Sequence, residues 1–252
     1  MKNKNLKTIL VLTVLFLGLS NANAQSETRT VKPFDKIVVS PHISVTFIQG
    51  DTESLQIETI SVDKNKLNIE VKGKTLRIYL EGAKEVTENE KYYKNGKKRT
   101  RSLYNGTIVT ATVTYKHIDE LSLRGEEKFT CISPIDQKDF TLKVYGESEI
   151  TINKVNLKTL QTTMYGESYI VINEGSIDRQ KITGYGEAKI NTLGVVSNST
   201  KITAYGEGSY RVNVSKELKV TAYGETVVAY KGNPNVNKGI VIGEATIQKI
   251  AE

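Results

Sequence analysis

The chain of 252 residues contains one cysteine, Cys131, so no intramolecular disulfide can form. The fold must therefore be held by burial and by backbone hydrogen bonding. Histidine occurs only at His42 and His117, with no cysteine or aspartate cluster beside either, which leaves a zinc site weakly supported. No nucleophile-elbow sequence accompanies any serine, and no Asp-rich loop with calcium spacing is present. No metal or cofactor is implied. Beyond residue 24 no apolar run reaches the length of a membrane-spanning helix. No apolar stripe of helical period is sustained either, so helices should be scarce.

The one long apolar run is at the start. Lys2, Lys4 and Lys7 precede the stretch from Ile9 to Leu19, and Asn21-Ala22-Asn23-Ala24 supplies small residues for cleavage before Gln25. This reads as a secretory signal peptide over 1–24, sending the mature chain to the periplasm, the outer-membrane surface or the exterior. The formal charge of +7 includes those three lysines and falls to +4 without them. So small a charge gives no argument for nucleic acid as a partner.

The body of the chain is repetitive. Tyr-Gly-Glu begins at Tyr145, Tyr165, Tyr185, Tyr205 and Tyr223, flanked by Arg124-Gly125-Glu126 and Ile242-Gly243-Glu244. Successive copies are separated by 21, 20, 20, 20, 18 and 19 residues. Aligned on the motif, apolar side chains recur at every second position. One column runs Leu121, Leu142, Thr162, Ile182, Ile202, Val220, and another Phe129, Ile150, Ile170, Ile190, Tyr210, Val228. Period two is that of a strand with one buried face. A rung of about 20 residues cannot bury its apolar face alone, but stacked rungs can. Propeller blades need about 40 residues, twice this repeat. The expected fold is therefore all-β, a right-handed parallel β-helix or β-solenoid with rungs about 4.8 Å apart.

Residues 25–252 are expected to form a single solenoid domain. Within it, 31–123 supply opening rungs and a cap, and 124–247 supply the Tyr-Gly-Glu rungs. A charged insert at 83–106 carries the basic run Lys97 to Arg101 and reads as a loop or hairpin that could meet an anionic surface.

Pro33-Phe34-Asp35-Lys36-Ile37 and the segment Ile43 to Asp51 resemble the opening of the head GIN domain. So do Thr75-Leu76-Arg77-Ile78, Val113-Thr114-Tyr115 and Ile118 to Leu123. That family is labelled an auto-transporter adhesin and is typical of exported proteins from Bacteroidota. The resemblance runs from about Val31 to about Ile247 and implies a parallel β-helix-like fold with adhesion as its role. Family members commonly carry Ser-Gly-Ser-Gly-Asp-like turns where this chain has Tyr-Gly-Glu-Ser.

Alternation places Tyr145, Tyr165, Tyr185, Tyr205 and Tyr223 outward, as an aromatic strip suited to sugar or protein contact or acting as a structural ladder. Glu147, Glu167, Glu187, Glu207 and Glu225 form a carboxylate column beside it. Like charges about 5 Å apart must splay into water or find cations, and Ser148 or Ser168 could add oxygens for calcium. Cys131 falls in an apolar column and reads as buried and inert. No constellation of catalytic side chains emerges, so a non-enzymatic envelope module is expected, binding a glycan or a host or envelope protein. The alternatives are a polysaccharide-modifying enzyme on a β-helix scaffold, for which a cleft with an isolated, pKa-shifted carboxylate would be the mark, and a purely structural envelope protein. Exposed solenoid ends leave a homodimer open.

Overall fold

A computed structural model of the protein describes residues 27–250, and the expected signal peptide lies outside them. About three quarters of the described residues are strand, and one 3-10 turn at Lys64–Lys66 is the helical content among them. Alternation of buried apolar and exposed polar side chains explains both facts: every strand of the body can bury one face, and no segment can bury a helical stripe.

The opening strands are β1 (Glu27–Thr30), β2 (Lys36–Val39), β3 (Ile43–Gln49), β4 (Ser54–Ile60), β5 (Leu67–Lys72) and β6 (Thr75–Leu80). A hairpin of β7 (Asn89–Lys94) and β8 (Lys97–Ser102) follows, then β9 (Val109–Tyr115), β10 (Glu120–Gly125) and β11 (Lys128–Cys131). The repeat forms β12 (Ile135–Gly146), β13 (Glu149–Gly166), β14 (Tyr169–Tyr185), β15 (Ala188–Tyr205), β16 (Gly208–Lys231) and β17 (Asn235–Lys249). All but β7 and β8 belong to one continuous sheet wound into a β-solenoid of about 6 turns.

Rungs pair in parallel and in the register of the repeat. Leu142 lies beside Thr162, then Ile182, Ile202 and Val220, and the five tyrosines lie beside one another. Every residue of the two apolar columns from Leu121 to Val228 is buried. The short 18-residue step is taken up where β15 and β16 slip register, between Thr192 and Val196 and again near Ser199. Gly125, Gly146, Gly166, Gly186, Gly206, Gly224 and Gly243 all turn the chain at positive φ, between 92° and 130°. A Cβ on Gly166 would also stand 2.4 Å from the Gly146 carbonyl oxygen. Glycine is thus required twice over, for the turn and for the close approach of successive corners.

The stack does not follow chain order at its start. β2 and β3 lie between the rung made by β6 and β9 and the rung made by β10 and β11. Antiparallel strands β5, β4 and β1 then cover the outer edge. The opposite end is uncovered among the described residues. There β17 pairs with β16 alone, and Ile240, Val241 and Ile242 stand 61%, 38% and 62% exposed.

Candidate functional site

The motif brings its residues together on one corner of the solenoid. Parallel in-register pairing stacks the five tyrosine rings into a column with centroids 4.6–5.1 Å apart and planes within 4° of parallel. This spacing is that of the strands themselves, so the ladder follows directly from the repeat. The rings lie face against face, which changes what the column offers. Ring faces are spent on one another, and the outer edges with their hydroxyls form the accessible surface. Tyr165, Tyr185 and Tyr205 remain 40%, 36% and 39% exposed. The free face at the head of the column is covered too: the Arg124 guanidinium sits 4.8 Å from the Tyr145 centroid. A sugar ring therefore has no face of Tyr145, Tyr165, Tyr185 or Tyr205 to stack on, and what these four rings present outward is phenol edges and hydroxyls.

The carboxylates fan outward past the glycine corner. Glu147, Glu167, Glu187, Glu207 and Glu225 are all exposed, as are Glu126 and Glu244 at either end. A shallow groove of about 420 Å³ runs along the later rungs, lined by Glu187, Glu207, Glu225 and Glu244 with Lys189. Ser148 and Ser168 do not join them. Both are buried and donate inward, Ser148 Oγ to the Gly125 carbonyl (2.8 Å) and Ser168 Oγ to the Gly146 carbonyl (2.9 Å). Chain neighbours of the carboxylates thus face the opposite way, and no three His, Cys, Asp or Glu groups among the described residues converge on a metal-sized site.

At the head of the column lies a second cavity of about 430 Å³ between the insert and the first rungs. Its walls include Pro41, His42, Val86, Arg124, Glu127 and Tyr145. His42 holds a left-handed φ of 69° and ties down the insert from both ring nitrogens. Nδ1 donates to the Gly106 carbonyl (2.7 Å), so a neutral ring accepts at Nε2 from the Thr87 hydroxyl (2.6 Å). Glu127 takes the inward position held by Ser148 in the next rung, and its carboxylate accepts from the backbone N–H of Glu126 at 3.0 Å. Burial raises the Glu127 carboxyl above its ordinary range, opposed by backbone hydrogen bonds from Glu126 and His42 and by the His42 ring. Sequence reasoning missed this cluster. Arg124 could have been found, since it occupies the tyrosine position of the first repeat; the pairing of His42 with Glu127, 85 residues apart, leaves no local signal.

Cys131 is buried against Phe47 and Ile152 in its column, and burial alone pushes its thiol up to about 12. His117 pairs with Asp119 at 2.7 Å on the surface, away from His42.

The same architecture occurs in solved structures. A Bacteroides fragilis protein described as a "putative adhesin" superposes with a TM-score of 0.74 at 18% identity, covering 89% of this chain and 96% of its own. A "putative adhesin" from Parabacteroides distasonis gives 0.64 at 19% identity, covering 90% and 96%. A "putative lipid binding protein" from the same species gives 0.62 at 19%, covering 92% and 98%. At such identities the likeness is one of fold, and the differing names show how little the fold alone decides about function. No curated protein matches the chain. A family model does, over residues 33–234, with the description "Putative auto-transporter adhesin, head GIN domain". The chain belongs to the head GIN domain family.

Proposed function

We propose that the protein is an exported, non-enzymatic adhesin of the cell envelope that meets its partner along the tyrosine and glutamate corner. The carrying observation is the geometry of that corner: an exposed, shallow, repetitive strip five rungs long, built of phenol edges flanked by carboxylates. Closely spaced hydrogen-bonding groups of one kind suit a partner that repeats as well, and the run of carboxylates disfavours polyanions. A neutral glycan or a basic protein segment fits best. Family membership and the leader expected at residues 1–24 support export.

The test is glycan-array and matrix-protein binding by residues 25–252 beside two triple variants at Tyr165, Tyr185 and Tyr205. Changing all three to Phe keeps the ladder and removes only hydroxyls; changing all three to Ala removes the edges as well. Binding lost in both places recognition on the hydroxyls. Equal binding by both variants and the parent sinks the proposal and leaves the column a structural ladder.

One observation favours an enzyme: Glu127 is a buried carboxylate with a raised pKa in a cavity, beside His42. Its oxygens are engaged by the backbone N–H groups of Glu126 and His42, which suits a structural role better. Polysaccharide cleavage by the parent that vanishes in Glu127→Gln would reverse this preference. The open edge of β17 also supports a homodimer formed end to end, since the other end of the stack is covered.

A further inference from the structure

The insert between β6 and β9 is built unlike the rest of the molecule. Among the described residues β7 and β8 pair only with each other, and they turn at Asn95-Gly96, both at positive φ, 52° and 71°. Such a turn matches the twist of a two-residue hairpin. Its strands carry Lys91, Lys94, Lys97, Lys98, Arg99 and Arg101 against the single acid Glu90, together with Asn89. Glu90 is taken by Arg101 at 2.5 Å, and the other five cations have no carboxylate within ion-pair distance among the described residues. Lys94 is set directly across from Lys97, where like charges oppose pairing. A free two-stranded hairpin is marginal to begin with, so this arrangement disfavours the hairpin in the absence of a counter-anion.

The insert also exposes apolar surface. Val86 and Tyr93, at 76% and 73%, are the most exposed large hydrophobic side chains among the described residues. Its base is nonetheless fixed. Ser40 Oγ donates to the Lys84 carbonyl (2.6 Å), Glu85 pairs with Arg77 (3.1 Å) and with Arg124, and the Tyr104 hydroxyl donates to the Glu81 carbonyl (2.8 Å). With the two His42 bonds, these contacts hold the root of the hairpin against the solenoid.

We propose that the hairpin docks the protein on an anionic phospholipid surface. Phosphate headgroups supply the counter-anions that the five cations lack, and the two charge-bearing faces of a hairpin both reach a surface into which it dips. Tyr93, on β7, decides between lipid and polysaccharide as the source of anion. An aromatic ring with a polar tip gains at a bilayer interface, whereas an anionic polysaccharide chain leaves it in water. The exposed carboxylates of the Tyr-Gly-Glu corner are repelled by the same surface, so docking through the hairpin orients them away from it.

The test is co-sedimentation of residues 25–252 with vesicles of equal parts phosphatidylglycerol and phosphatidylcholine, beside vesicles of phosphatidylcholine alone and a soluble polyuronate. Binding is expected to the anionic vesicles only, and to fall steeply as salt is raised to about 0.5 M, where screening shortens to a few ångströms. Each cation near such a surface contributes roughly fivefold in partitioning. Lys97→Glu with Lys98→Glu and Arg99→Glu should therefore weaken binding at least about a hundredfold. Tyr93→Ala should weaken it several-fold without changing the salt dependence. Far-ultraviolet dichroism and the thermal midpoint of the charge-reversed variant should match the parent, because the hairpin stands outside the main sheet. Absence of vesicle binding, equal binding by the charge-reversed variant, or capture by the polyuronate in preference to vesicles would each overturn the proposal. The tyrosine variants at positions 165, 185 and 205 should bind vesicles like the parent, which separates this surface from the adhesive corner.

Discussion

At the residue scale the corner glycines show how one atom sets the geometry. Gly166 sits at φ +105° with the neighbouring rung's carbonyl where a Cβ would go, so Gly166→Ala meets both backbone strain and a clash. A loss of about 3 kcal/mol is expected by urea denaturation. Gly73, at φ +52° with open space around it, should lose only about 1 kcal/mol as Ala. Cys131 provides a second residue-scale prediction. Its ordinary value of 9.0 is raised to about 12 by burial, so the folded state holds the thiol proton over a range where the unfolded chain releases it. The stabilisation is complete below about pH 9 and is lost as pH rises towards about 12. Stability in that window should fall with a contribution near 1.4 kcal/mol per pH unit from this site. Cys131→Val, which fits a column shared with Ile152, should shallow the alkaline slope. A slope unchanged in the variant would mean the thiol is not enclosed as described.

At the scale of elements, the tyrosine ladder is an assembly of pairs. Each interior ring contacts two others, so Tyr185→Ala removes two stacked contacts and should cost about 1–3 kcal/mol in a denaturation midpoint series. Tyr185→Phe keeps both rings' contacts and should stay within about 0.5 kcal/mol. If Ala is as harmless as Phe, the stack contributes nothing to folding and the case for a binding role gains weight. The inner face shows a different kind of fit. Tyr210 is fully buried in a column otherwise held by Phe129, Ile150, Ile170, Ile190 and Val228, and its hydroxyl fills the space beside Gly184. A Cβ on Gly184 would stand 2.3 Å from that oxygen. The column and its period were readable in sequence, but the exchange of volume between Tyr210 and Gly184, which lie in neighbouring rungs, belongs to packing.

For the whole molecule the contrast between its ends matters most. Interior rungs β13, β14 and β15 have a neighbour on each side, whereas β17 has one and the hairpin stands apart. In a stack with nearest-neighbour coupling, hydrogen-exchange protection should be highest in β13 to β15 and lowest in the hairpin and β17. End-to-end pairing through β17 adds a condition: its protection should then rise with protein concentration while that of the hairpin does not. Protection in β17 independent of concentration would leave the protein a monomer with an open edge.

The strand period, the repeat length and the Tyr-Gly-Glu motif determined the solenoid, its inward columns and the outward row of tyrosines before any coordinates, because parallel stacking turns a repeat in sequence into a column in space. They also placed the carboxylates beside the tyrosines. Tertiary structure alone decided that the rung of β2 and β3 lies inside the stack, since pairing between strands distant in sequence leaves no periodic trace. It alone fixed the ring torsions that lay the faces within 4° of parallel, because the repeat sets the spacing of the rings and not their orientation. And it alone joined His42 to Glu127, which meet because the rung of β2 and β3 stacks out of chain order on that of β10 and β11, a neighbourhood that no repeat spacing announces.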